Sequence, residues 1–152
     1  MNITAMYFSG TGTTKKVTAA IADELTEIKI SQDETAAGEN PGSIKAGIKP
    51  WQRAEDIDFT PPAARREIYR FTPDDLVVFG VPVIAGRVPN VLLKFLDTLQ
   101  GGGALAVPVV LYGNRNFDDA LIELRNILQD RGFYAIGAAA FIGEHSFSRI
   151  LA

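Results

Sequence analysis

The sequence lacks the residues from which most protein metal sites are made. It contains no cysteine and only one histidine, His145. Without thiols the chain cannot form disulfides, thiolate metal sites or iron–sulfur clusters of its own. A single imidazole is likewise too few for a histidine-rich metal site. Chemistry that depends on these ligands is therefore excluded within this chain.

Strong charge and long apolar runs are missing as well. The formal net charge of the 152 residues is −3, which provides no basic surface for nucleic acid or anionic lipid. No apolar run approaches the roughly 18 residues of a membrane span. The N-terminal stretch MNITAMYF has neither the cationic start nor the cleavable apolar run of a signal peptide. We therefore expect one cytoplasmic domain over residues 1–152 that binds neither nucleic acid nor membranes.

The sequence does contain an alternation of strand-like and helix-like segments, in a composition typical of globular proteins (47% hydrophobic, 22% charged). Residues 2–8 are apolar and include β-branched and aromatic side chains, which predicts a buried strand. From Thr14 onward apolar residues recur at intervals of three and four, which predicts a helix. The same patterns predict strands at 74–83, 104–114 and 133–143, and helices within 88–103 and 118–132. This alternation indicates an α/β fold with a doubly wound parallel sheet of five strands.

The second strand and the end of the chain are less regular. Residues 56–62 (DIDFTPP) and residues 26–31 (TEIKIS) compete for the second strand. Residues 31–53 are polar and contain several glycines and prolines, which predicts a long loop or insertion. A sheet of this kind needs one more helix after its last strand. The sequence offers none, so we expect that helix to be missing or truncated, and we expect the apolar face it leaves open to favour a homo-oligomer.

The segment between the first strand and the first helix reads Ser9-Gly10-Thr11-Gly12-Thr13-Thr14. Lys15 stands where a Walker A loop or a dinucleotide-binding fingerprint requires a glycine, so both motifs are absent. The hydroxyl groups and the backbone N–H groups at the helix start suit a phosphate monoester. The alternative is that Thr13 or Thr14 merely caps the helix. Lys15 and Lys16 favour the anion site, because the helix dipole disfavours cations in the first turn.

This loop resembles the phosphate loop of the flavodoxin family, Ser/Thr-x-Thr-Gly-x-Thr. The resemblance extends through VFGVPVIAGRVP (78–89) and YGNRNFDDAL (112–121), which stand where flavodoxins carry their two isoalloxazine-binding loops. With FIGEHSFS (141–148), these strings are most similar to the flavodoxin-like domain of flavodoxin–ferredoxin fusion proteins. The likeness covers residues 1–25 and 55–148, without a ferredoxin half. It implies a flavodoxin-like sheet of order 2-1-3-4-5 and FMN as the cofactor.

The resemblance also implies a role for each loop, with no catalytic residue and no metal ligand. The 9–14 loop would hold the 5′-phosphate of FMN. The Ala85–Gly86 peptide would lie beside N5 of the flavin and could reorient there, because glycine has few steric limits. Phe117 would stack on the ring, whereas Asp118 has an alternative role in the first turn of a helix. The cofactor-binding residues implied are Ser9, Gly10, Thr11, Gly12, Thr13, Thr14, Val83, Ile84, Ala85, Gly86, Gly113, Asn114, Arg115, Asn116, Phe117 and Asp118.

Two further residues are expected to be structural. Arg87 either pairs with a carboxylate or contacts the flavin edge, and we expect the carboxylate. Trp51 is an attractive candidate for stacking on a flavin. However, a segment that follows the first helix lies at the end of the sheet opposite to the loops, so we expect Trp51 to serve local packing or an interface.

Three functions are compatible with the resemblance. We expect an FMN-binding electron carrier that exchanges electrons with redox partner proteins, for example a ferredoxin or a ferredoxin-type domain. The first alternative is an FMN-dependent NAD(P)H oxidoreductase acting on quinones or other small acceptors, although no second nucleotide motif is visible. The second alternative is a flavodoxin-fold binding module without a working flavin. Ile84 supports that alternative, because relatives often carry tyrosine at this position.

Overall fold

The structure is a computed structural model that describes residues 1–39, 51–84, 86–113 and 118–142. Within these ranges seven strands form one parallel sheet. The strands are β1 (Asn2–Tyr7), β2 (Gln52–Arg53), β3 (Ile57–Asp58), β4 (Asp75–Pro82), β5 (Leu105–Tyr112), β6 (Tyr134–Ala135) and β7 (Ala139–Ile142).

The sheet has five positions, because each edge is shared by two short strands. Its order is β2-β1-β4-β5-β6, with β3 also paired to β1 and β7 also paired to β5. Strand β2 pairs with the start of β1 (Asn2 with Gln52) and β3 with its end (Met6 with Ile57). The predicted doubly wound order 2-1-3-4-5 is therefore confirmed, with interrupted strands at both edges.

Helices cover the two faces of the sheet. They are α1 (Thr13–Glu39), α2 (Asn90–Leu96) and α3 (Asp118–Asp130), with a short 3-10 helix at Pro62–Arg66. One core cluster, on the α1 side, contains Ile3, Tyr7 and Val78. The other, on the side of α2 and α3, contains Phe59, Phe79 and Leu124. Strand β4 contributes to both clusters because both of its faces are covered, as expected for a central parallel strand.

A glycine brings α1 close to the sheet. A Cβ added to Gly80 in β4 would overlap the Thr18 hydroxyl and would lie 3.2 Å from Cγ2 of Thr14. Both threonines are on the first turns of α1 and are almost completely buried. The hydroxyl of Thr18 has no hydrogen-bond partner within the described part of the chain. The missing side chain at Gly80 therefore sets how closely the start of α1 approaches the sheet.

The structure also corrects the sequence interpretation between the first and second strands. Residues 26–31 are helical, because α1 continues to Glu39, and residues 31–39 of the predicted loop are helical as well. Of the competing stretch 56–62 only Ile57–Asp58 forms a strand, and Gln52–Arg53 adds a second short one. Trp51 packs against the core cluster on the α1 side, in agreement with local packing. The predicted absence of a last helix concerns residues after 142, which lie outside the described residues.

None of the helices in the described ranges combines the length and the apolar character needed to cross a membrane.

Candidate functional site

Three of the predicted loops begin at one edge of the sheet. Strands β1, β4 and β5 are adjacent and parallel, so their carboxyl ends lie side by side. In the register of the sheet Tyr7 is paired with Gly80, and Pro82 with Leu111. The loops after these strands begin at residues 8, 83 and 113. This carboxyl edge is where open α/β sheets bind their ligands.

The first loop is organised by the side chain of Ser9. Its Oγ accepts hydrogen bonds from the backbone N–H groups of Gly12 (3.0 Å) and Lys15 (3.1 Å). Gly12 has a φ of +91°, a conformation that favours glycine. Ser9 therefore caps helix α1 from four residues before its start. Ser9 thus provides the helix cap that Thr13 or Thr14 was considered to provide. Both threonines are instead buried.

Several donors of this loop remain unpaired. In the described part of the chain no acceptor pairs with the backbone N–H groups of Gly10, Thr11, Thr13 or Thr14. The Thr11 hydroxyl lies 3.5 Å from the Thr13 hydroxyl, a distance at the limit of a hydrogen bond. These groups surround the start of a long helix, whose dipole favours negative charge there. The loop therefore offers a set of donors suited to an anion.

A fourth segment reaches the same edge, and the sequence did not reveal it. Thr60 follows β3, and its Oγ1 accepts a hydrogen bond from the Ser9 backbone N–H at 2.8 Å. The Thr60 N–H donates to Asp58 (2.9 Å), so a turn immediately follows the strand. Arg65 donates to the carbonyls of Phe59 and Thr60, and its guanidinium lies over the ring of Phe8. Asp58 and the Pro61–Pro62 pair are turn signals that could have located this segment.

The second loop forms a tight turn. Ile84 and Arg87 exchange backbone hydrogen bonds of 2.9 and 3.0 Å, and Gly86 lies at its tip. Gly86 has a φ of +77° and open space where a Cβ would lie. Val83 donates its N–H to the carbonyl of Leu111 at 2.7 Å, which joins the start of the turn to β5. Ile84 is 57% exposed, so it places an apolar side chain at the surface of the candidate site.

Arg87 is paired with a carboxylate, as expected. Its Nε lies 3.2 and 3.3 Å from the two carboxylate oxygens of Glu123 on α3, and its Nη2 also donates to Oε2. The Val88 backbone N–H donates to the same carboxylate at 2.9 Å. The hydrogen bond from Arg87 and the one from Val88 both lower the pKa of Glu123, so this carboxylate is charged at neutral pH.

At the end of β1, the side chain of Tyr7 is held by two charged residues of the neighbouring chain segment, Asp56 and Arg53. Its hydroxyl donates to Asp56 at 3.0 Å, and Asp56 is also bonded by Arg53. Burial and the bond to Asp56 raise the pKa of Tyr7 to about 12, so the phenol remains neutral. This network fixes the end of the strand that precedes the loop of residues 9–14.

The remaining predicted residues are only partly described. Gly113 is exposed directly after β5, and Asp118 is the first residue of α3. Ala85 and the stretch Asn114, Arg115, Asn116 and Phe117 lie outside the described residues, so their predicted contacts with a flavin stay predictions. Among the described residues no group of three or more histidine, aspartate or glutamate side chains is arranged to hold a metal ion.

The cap formed by Ser9 gives a first prediction. Ser9→Ala is expected to lower the free energy of unfolding by about 1 kcal/mol, because the N–H groups of Gly12 and Lys15 lose their acceptor. The measurement is urea denaturation followed by circular dichroism. Ser9→Thr, which keeps the hydroxyl, should recover most of the loss. An alanine variant as stable as the original protein would show that the cap contributes little.

Comparison with solved structures identifies the fold of this chain. No protein-family model and no curated protein matches the sequence. Among solved structures, a flavodoxin from the domain Archaea matches with a TM-score of 0.57 and 15% identity, over 99% of this chain and 90% of that chain. A metal-soaked flavodiiron core from Synechocystis matches with a TM-score of 0.50 and 16% identity, over 95% of this chain but 31% of that one. The chain thus corresponds to about a third of the flavodiiron core. The architecture of this chain is a flavodoxin-like fold.

Proposed function

We propose that this chain binds FMN at the carboxyl edge of its sheet and acts as an electron-transfer protein. The observation that carries the proposal is the unpaired set of N–H donors between β1 and α1, in a flavodoxin-like fold. In this proposal those donors hold the 5′-phosphate. The bound flavin would supply the redox chemistry, accepting and donating electrons one or two at a time.

The chemistry of the phosphate loop supports a monoester. Its donors are backbone N–H groups and small hydroxyls close to a helix start, an arrangement suited to a compact dianion. Lys15 and Lys16 are exposed in the first turn of α1, where no acidic side chain balances them. A bound phosphate would offset the unfavourable position of these two cations in the helix dipole.

The second loop supports the proposed position of the flavin ring at the carboxyl edge of the sheet. The turn from Ile84 to Arg87 lies next to the phosphate loop in the sheet order, since β4 is adjacent to β1. Its tip carries Gly86, with open space around it, and the exposed Ile84. An apolar side chain at this position suits contact with the flavin or with a protein that docks over its rim. The proposed partners are redox proteins, a ferredoxin or ferredoxin-type domain among them.

Flavin loading tests the proposal directly. The purified protein, incubated with FMN and dialysed, is expected to retain a yellow chromophore that chromatography identifies as FMN. FMN should bind at least about 100-fold more tightly than riboflavin, because only FMN has the phosphate that the loop would hold. A chain that retains no flavin would contradict the proposal. Oxidation of NAD(P)H by the loaded protein alone would favour the oxidoreductase alternative.

A single substitution assigns the phosphate to the loop. Thr11→Ala is expected to raise the Kd for FMN about tenfold and to leave the Kd for riboflavin unchanged. Thr11 is preferable to Thr14, because the Thr14 methyl group is packed near Gly80. Thr98→Ala is the matched control, since Thr98 follows α2 and its hydroxyl bonds the carbonyl of Phe95. Equal losses for both flavins in Thr11→Ala would contradict the assignment.

A further inference from the structure

One side chain connects the second loop to helix α3. Glu123 accepts hydrogen bonds from the Arg87 side chain and from the Val88 backbone N–H, which lie 36 and 35 residues before it in the sequence. Helix α3 begins at Asp118, directly after the third predicted flavin loop. Glu123 therefore ties the base of the second loop to the helix that follows the third.

The contacts around the turn divide it into a fixed base and an open tip. The base is held at its start by the bond from Val83 to Leu111, and at its end by the bonds to Glu123. Ile84 and Arg87 close it by their mutual backbone bonds. At the tip, a Cβ on Gly86 would meet nothing within 4 Å. Among the described residues few contacts hold the turn, and Glu123 provides those on the side of α3.

We propose that Glu123 is a positioning residue that holds the turn from Ile84 to Arg87 in the orientation needed to receive a flavin. This inference rests on the FMN binding proposed above. Glu123 contacts the end of the turn through the backbone of Val88 and the side chain of Arg87, and it would act on the site through these two contacts.

The bond to the backbone is the more important of the two contacts. Val88 is only 3% exposed, and in the described residues its N–H has no acceptor other than Glu123. Loss of that acceptor would leave a buried donor without a partner. The side chain of Arg87, in contrast, is 65% exposed, and ion pairs in such positions contribute little to stability. Removal of Glu123 should therefore have a larger effect than removal of Arg87.

Amide hydrogen exchange of the flavin-free protein tests the contact itself. In Glu123→Ala the Val88 amide is expected to exchange about tenfold faster than in the original protein. Glu123→Gln retains an acceptor and should stay within about threefold, as should Arg87→Ala. Gln129→Ala, an exposed position on the same helix, is the matched control and should not change the exchange of Val88. An unchanged Val88 amide in Glu123→Ala would overturn the inference.

Flavin titration then tests the consequence for the site. Glu123→Ala is expected to raise the Kd for FMN about tenfold and to shift the potentials of the two one-electron steps, whereas Glu123→Gln restores most of both. Faster exchange of Val88 with unchanged Kd and potentials would overturn the positioning role and leave only a structural bond. If the original protein takes up no flavin, the proposed function fails, and the positioning role toward a flavin fails with it. The exchange experiment would still report separately on the bond between Glu123 and Val88.

Discussion

Gly80→Ala is expected to lower the free energy of unfolding by about 3 kcal/mol, the largest loss we expect from adding a single methyl group on the α1 side of the sheet. The new Cβ would overlap the Thr18 hydroxyl and lie 3.1 Å from the Thr18 Cβ. Thr18 is fully buried on α1, so its side chain has no room to move away. Chemical denaturation of the variant and of the original protein measures the difference.

A double variant identifies the cause of this loss. In Thr18→Ala with Gly80→Ala, the overlapping hydroxyl is gone, so the double variant should be more stable than Gly80→Ala alone. Gly137→Ala is the control, because Gly137 is exposed and a Cβ there would meet nothing within 4 Å. It should change the stability by less than about 0.5 kcal/mol. If Gly80→Ala were as harmless as this control, helix α1 would have to lie farther from the sheet.

Phe59→Ala is expected to cost about 4 kcal/mol of unfolding free energy. Phe59 is fully buried, and its ring lies 5.2 Å from that of Phe79 and 4.9 Å from that of Phe95, measured between centroids. The substitution would leave a large cavity in the core on the side of α2 and α3. Thermal and urea denaturation measure the effect, with Tyr134→Ala as a control at an aromatic residue that is 65% exposed.

The same substitution should also affect the candidate site. Thr60 follows Phe59 and accepts the hydrogen bond from the Ser9 N–H, so a shift of Phe59 would move a support of the loop of residues 9–14. Phe59→Leu should cost less than about 1.5 kcal/mol and should keep the site intact, because it preserves most of the packed volume. If Phe59→Ala is too unstable to isolate, the leucine variant still tests the packing. A loss of stability in Phe59→Leu as large as that expected for alanine would show that the ring contacts themselves, and not the filled volume, stabilise this core.

The central strands were predictable from sequence because each has a strong local signal. Residues 74–83 form an apolar run of a length that suits a strand buried on both faces, and the structure places a strand at Asp75–Pro82. Residues 26–31 were ambiguous for a physical reason. Ile28 and Ile30 alternate with polar residues as in a strand, yet they also continue the helix that begins at Thr13, and the helix prevails.

The parts that could not be predicted depend on contacts between distant residues. Ser9, rather than Thr13 or Thr14, caps α1, because the loop folds back and brings its hydroxyl to the N–H groups of Gly12 and Lys15. Pairing of Arg87 with a carboxylate was expected, but no pattern identifies Glu123, 36 residues later, as its partner.

The two short strands that pair with the same side of β1 have a further consequence. Strand β2 pairs at the amino end of β1, where Trp51 packs, whereas β3 pairs at the carboxyl end, beside the candidate site. The chain therefore enters β2 at Gln52, at the end of β1 that is remote from the loops. A substitution at the exposed Gln52 would be separated from the candidate site by the length of β1. We expect changes at this end of the sheet to leave the contacts at the other end, between Ser9 and Thr60, in place.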